Sequence, residues 1–122
     1  MNSLTFDNST AIPVLAEIAD RISCSIITST IEAAKTACQI AMEHSLPLSS
    51  TYKKIKKLQE MSIVDVEKID LDGNGKRIAY YRSKIKSAEF NLGGNKIVLH
   101  LEKNDINSRH HVALGVEVCS NR

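Results

Sequence analysis

Apolar positions in the first third of the chain recur at three- and four-residue steps. Val14, Leu15, Ile18, Ile22 and Ile26 form one stripe, the spacing of an amphipathic helix or of two abutting ones. Ser9 or Thr10 is suited to cap its start, with Pro13 tolerated in the first turn, and Asp20 offers a second cap where the stripe can break. After Glu32-Ala33-Ala34-Lys35, Thr36 caps a compact helix with Ala37, Ile40 and Ala41 on one face. Pro47 keeps that helix from running far past His44, because the residue before a proline disfavours helical geometry. Leu48-Ser49-Ser50 opens another helix, to about Met61, with a serine as its cap. At about 100° per residue, Thr51, Ile55 and Leu58 share one side of it. Lys53 lies almost opposite, flanked by Ser49, Lys56 and Lys57, with Ser50 near one edge and Tyr52 on the shoulder between the faces.

From Ile63 the period changes to two. Ile63, Asp65 and Glu67 alternate with Val64, Val66 and Lys68, the pattern of a half-exposed strand. Asp72-Gly73-Asn74-Gly75 is the strongest turn signal in the chain, and Arg77–Ser83 is the returning strand. A second hairpin is expected around Gly93-Gly94-Asn95, with Ala88, Phe90 and Leu92 before it and Ile97, Leu99 and Leu101 after it. Lys103–His111 reads as a polar loop, and Val112, Leu114, Val116 and Val118 alternate again as a last strand.

Composition agrees with a folded chain. At 122 residues, 43% apolar and 25% charged, it has the size and make-up of one globular domain. No apolar run approaches the ~18 residues of a membrane span, and MNSLTFDNST lacks the basic start and apolar core of a secretion signal. Three cysteines without paired spacing fit free thiols in a reducing cytoplasm. The expectation is a cytoplasmic protein with no membrane partner.

Charge is informative in its distribution. The formal net charge is only +2, but residues 1–48 hold two basic side chains, Arg21 and Lys35, against five acids, so residues 49–122 carry +5. Residues 49–57 contain Lys53, Lys54, Lys56 and Lys57 and no acid; residues 76–86 contain Lys76, Arg77, Arg82, Lys84 and Lys86, again without one. Two such clusters create strong local potential where the net charge cannot.

The order of elements carries a resemblance. The stretch TACQIAMEHSLPLSSTYKKIKKLQEMSIVDVEK, followed by GNGKRIAYYR, resembles the ArsR-like winged helix-turn-helix transcription regulators, especially their small archaeal members. In that pattern Ala37, Ile40 and Ala41 are the packed face of the positioning helix, and Leu46-Pro47-Leu48 makes the turn. Ser49-Ser50-Thr51-Tyr52 begins the recognition helix, Ile55 and Leu58 anchor it, and Ile63-Val64 starts the wing. The match spans Ile18 to Arg82, about half of the chain. Ser45 and Ser62 stand where the family often has glycine, and Thr51 where it commonly has an apolar β-branched residue. The implied fold is α+β: a winged helix-turn-helix with N-terminal helices, a β-hairpin wing and additional C-terminal β-strands. Residues 1–83 form the DNA-binding domain, and residues 84–122 its C-terminal β extension, a candidate dimerisation element.

The resemblance implies a sequence-specific regulator that binds double-stranded DNA as a homodimer, its recognition helix in the major groove and its wing on the flanking backbone or minor groove. Ser49 and Ser50 are suited to phosphate or base contacts, and Lys53, aimed away from the core, to a base edge. Lys54, Lys56 and Lys57 suit phosphates. Tyr52 offers a phosphate hydrogen bond, a stacking contact or a structural one. Lys76 and Arg77, at the wing tip, reach the adjacent minor groove or its phosphates. The alternative is a winged-helix module that binds proteins and not DNA, its lysines only solvating a helix.

Other chemistries fit less well. Asp70-Leu71-Asp72-Gly73-Asn74-Gly75 looks like the opening of a calcium loop, but Tyr81 occupies the twelfth position, where a glutamate is needed. Cys24, Cys38 and Cys119, with His44, His100, His110 and His111, lack metal-ligand spacing, and Cys24 and Cys38 are expected as buried helix thiols. No nucleophile stands with a base and an orienting group at recognisable spacing, so no enzyme, cofactor or metal site is expected.

Overall fold

A computed structural model describes residues 3–6 and 8–105. The chain is α+β, with four helices and two antiparallel sheets. Helix α1 (Asn8–Ala19) leads into α2 (Arg21–Ser29), then α3 (Ala37–His44) and α4 (Leu48–Glu60). Strands β2 (Val64–Leu71) and β3 (Arg77–Ser83) make a two-stranded ribbon. Strands β1 (Ser3–Phe6), β5 (Lys96–Lys103) and β4 (Ile85–Gly93) make a three-stranded sheet in that spatial order. The Val112–Val118 strand, Cys119 and the His110-His111 pair lie outside the described residues.

The chain breaks into helices where its caps direct. The Asp20 carboxylate accepts from the Ile22 and Ser23 N–H groups at 3.1 and 3.0 Å, satisfying two of the unpaired donors at the start of α2. Thr36 and Gln39 form a reciprocal capping box on α3. Two expectations fail at helix starts. Helix α1 begins at Asn8, so Pro13 sits in its second turn and not its first. Helix α4 begins at Leu48 and has no side-chain cap, because extended Pro47 is its N-cap residue. The Pro47 carbonyl accepts instead from the Thr51 N–H and hydroxyl, at 3.0 and 2.9 Å.

Ser45 and Ser62 both adopt left-handed backbone. Ser45 (φ 54°) ends α3 and Ser62 (φ 61°) follows α4, letting the Leu46 and Ile63 N–H groups close back on Ala41 and Leu58. Left-handed geometry strains a residue with a Cβ, and both serines are exposed. Ser45→Gly and Ser62→Gly are each expected to raise stability by about 0.5–1 kcal/mol, read as a higher urea midpoint at unchanged slope.

The ribbon carries one irregularity. Val66 pairs with Tyr81 but Lys68 with Tyr80, so Glu67 is an extra residue, a β-bulge. At the ribbon tip Asp72 Oδ1 accepts from the Asn74 and Lys76 N–H groups, both at 2.8 Å, and Gly75 supplies φ 80°. Those bonds make Asp72–Gly75 a hairpin turn, with Asp70 and Leu71 still paired in β2. In the second hairpin Gly94 and Asn95 both have positive φ, the two-residue turn whose twist matches the strands.

One core joins the layers. Ile26, Ile40, Ile55, Leu58 and Leu99 are fully buried, with Val64, Ile85 and Leu101 beside them; each such side chain contributes about 1.5–3 kcal/mol. Strand β3 is tied to the helical layer by reciprocal backbone bonds between Lys35 and Tyr81, at 2.9 and 2.7 Å, which form an isolated antiparallel bridge. No helix among the described residues is long and apolar enough to cross a membrane.

Candidate nucleic-acid interface

Helix α4 segregates as its sequence predicts. Thr51, Ile55 and Leu58 are buried, while Ser49, Tyr52, Lys53, Lys56 and Lys57 are exposed and Ser50 is half-buried. None of Lys53, Lys56 and Lys57 joins an ion pair among the described residues. Because Pro47 is the cap residue, Ser49 and Ser50 lie within the first turn, where backbone N–H groups have no helical acceptor. That end of α4 therefore presents hydroxyls, free N–H groups and the positive end of the helix dipole together.

Lys54 behaves differently from its neighbours. Its ammonium lies 3.3 Å from Glu17 and 3.5 Å from Asp20. The hydrogen bond to Glu17 raises its pKa above the ordinary lysine value, and the Ser23 hydroxyl holds the same Glu17 oxygen at 2.7 Å. Lys54 thus fastens α4 to the α1–α2 junction. The Ser23 N–H, with Lys54 helping, holds the Asp20 carboxyl below its usual value. A depressed carboxylate stabilises the fold above its unfolded pKa and loses that contribution as pH falls through the folded one. Asp20→Ala is expected to cost about 1 kcal/mol at neutral pH. Its deficit in thermal midpoint should shrink as pH falls below about 4.

Ribbon and helices meet in an open groove. Thr36 and Gln39 at the start of α3, Tyr52 of α4, and Lys76, Arg77 and Tyr80 of the ribbon line it. Tyr52 is half exposed, and burial, with Tyr52 nearby, pushes the Tyr81 hydroxyl pKa up. Lys76 and Arg77 are exposed. The structure therefore brings Tyr52, Lys76 and Arg77 to one groove, beside the open lysine face of α4. The α3 contribution, Thr36 and Gln39, was missed in the sequence; the capping-box spacing was its only signal.

Two expected contributions are corrected. Arg82, counted in the second basic cluster, is 2% exposed; it donates to Glu67 at 2.8 Å and to the Ile31 carbonyl at 3.0 Å. Its charge is spent inside the protein, because the bulge at Glu67 puts a carboxylate against it. Cys24 and Cys38 are exposed, not buried, since the packed faces of α2 and α3 are filled by Ile26, Ile27, Ile40 and Ala41. Among the described residues no three His, Cys, Asp or Glu side chains gather as metal ligands. The sequence matches no protein-family model and no curated protein sequence.

Proposed function

We propose that this chain is a winged helix-turn-helix protein of the ArsR-like kind, cytoplasmic, which binds double-stranded DNA as a homodimer and regulates transcription. The observation that carries this reading is the open face of α4, with Lys53, Lys56 and Lys57 exposed, outside any ion pair among the described residues, and opposite buried Thr51, Ile55 and Leu58. The order α2, Lys35 bridge, α3, turn, α4, ribbon supports it, because the bridge sets a third backbone segment beside the β2–β3 ribbon at the point where a winged domain has its first strand. In this reading α4 enters the major groove, Lys53 meets a base edge, and Ser49, Ser50, Lys56 and Lys57 meet phosphates. Tyr52, Lys76 and Arg77 hold the flanking backbone. Lys54 positions α4 and leaves the phosphates to its neighbours. A two-fold dimer reads half-sites about 34 Å apart.

A second reading has an observation in its favour. Met42 and Leu48 are exposed and flank a shallow apolar concavity with Cys38, Ala41 and Leu46, as a protein-binding module requires. Fluorescence anisotropy with mixed genomic duplex, across a salt series, separates the two. DNA binding through about 6–10 phosphates loses roughly 10³–10⁵-fold in affinity between 50 and 200 mM salt. A chain that stays unbound at 50 mM salt, yet captures a protein from nuclease-treated lysate, is instead an interaction module.

A further inference from the structure

The core face of the three-stranded sheet extends beyond its helical cover. Residues opposite one another in antiparallel strands share a face, so Ala88, Phe90 and Leu92 of β4 lie on the side of Leu101, Leu99 and Ile97. Leu99 and Leu101 are 0% and 3% exposed, whereas Phe90 and Leu92 are 53% and 75% exposed. Ile12, on the neighbouring surface of α1, is 51% exposed and lines a shallow hollow with Leu92. Among the described residues β4 pairs with β5 alone, so its other edge has no strand beside it. A long edge carrying apolar side chains invites aggregation unless something covers it.

The described chain ends beside the start of β4. The Asn104 N–H donates to the Lys84 carbonyl and its amide to the Ser83 carbonyl, both at 2.9 Å, which fixes the exit of β5 next to the start of β4. From Ile106 to His111 the chain spans up to about 20 Å, and the far side of β4 is two strand spacings from β5, about 10 Å. Residues 112–118 then alternate Val112, Leu114, Val116 and Val118 with Ala113, Gly115 and Glu117, over as many positions as Ser87–Gly93.

We propose that residues 112–118 dock along the free edge of β4 in the same chain, setting Val112, Leu114, Val116 and Val118 beside Phe90, Leu92 and Ile12. The segment supplies backbone partners for the outward β4 amides and apolar neighbours for the uncovered face. This docking is independent of any DNA contact.

Amide hydrogen exchange on the full chain tests it. The β4 amides that face away from β5 are expected to be protected at least 100-fold in the wild type. Leu114→Lys should reduce that protection at least tenfold while leaving the β2–β3 amides unchanged, and Glu117→Lys, on the other side of the segment, should leave both unchanged. Cross-relaxation between the Phe90 ring and valine methyl groups of residues 112–118, measured in the wild type, keeps the test open should Leu114→Lys fail to fold. Unprotected outward amides in the wild type, or protection that survives Leu114→Lys, overturns the proposal. Protection that disappears on dilution to the monomer overturns it in favour of a second copy at this edge.

Discussion

Replacing Lys53 and Lys57 together by alanine is expected to weaken duplex binding by roughly a thousandfold without unfolding the protein. A two-fold dimer loses four ammonium groups in this variant. At about 1 kcal/mol or more for each phosphate or base contact, the loss reaches about 4 kcal/mol, close to three decades in affinity. The salt slope should also become shallower by up to about four, since each neutralised phosphate contributes about one. Both side chains are exposed and outside any ion pair among the described residues. The urea midpoint should therefore stay within about 0.5 kcal/mol of the wild type. Equal affinity of variant and wild type at matched salt would retire the α4 assignment.

Arg82 is the second position with a large expected effect, and its effect is on stability. Arg82→Ala should cost about 3 kcal/mol, at the low end for breaking a buried pair. Two observations place it there. Glu67, with 30% of its side chain exposed, is rehydrated once freed, and the Ile31 carbonyl keeps the Asn104 amide at 2.9 Å. Glu67→Ala should be at least as damaging, although Glu67 is the more exposed partner. It leaves a guanidinium that is 2% exposed without its countercharge, and one nitrogen of that group, Nη2, already lacks a hydrogen bond. Removing both should cost less than the sum of the single changes, the sign of a coupled pair. Urea unfolding followed by far-ultraviolet circular dichroism reads all three. A Glu67→Ala loss below about 1 kcal/mol would mean that the pair behaves as a surface one.

The features legible in the sequence are those fixed by near neighbours. Asp20 and Thr36 cap their helices through N–H groups two or three residues away, and Arg77–Ser83 returns from a turn written into Asp72–Gly75. The two faces of α4 follow from helical spacing alone. What stayed hidden depends on distant partners. Strand β1 is four residues long and exists through pairing with β5, at the opposite end of the described chain. Arg82 looks like part of a basic cluster until the ribbon folds Glu67 against it and the turn after α2 delivers the Ile31 carbonyl. Lys54 sits among other lysines in the sequence, yet Glu17 and Asp20 reach it from α1 and the α1–α2 junction, which no local pattern sets beside it. The exposure of the two helix cysteines is equally hidden, because small apolar neighbours say that a helix packs, not which side of it does.

The bulge divides the ribbon into parts with separate duties. Among the described residues its ties to the body lie at the root: Val64 in the core, Glu67 on Arg82, and Tyr81 bonded to Lys35. Past Glu67, from Lys68 around the tip to Arg77, the side chains are exposed, apart from a half-buried Asp72 that ties the turn. Lengthening or shortening the finger by matched pairs of residues above Lys68 therefore leaves its foothold untouched. Loss of Glu67 alone loosens that foothold, because the bulge and the carboxylate on Arg82 go together. The reach of the finger is adjustable, and its seat is not.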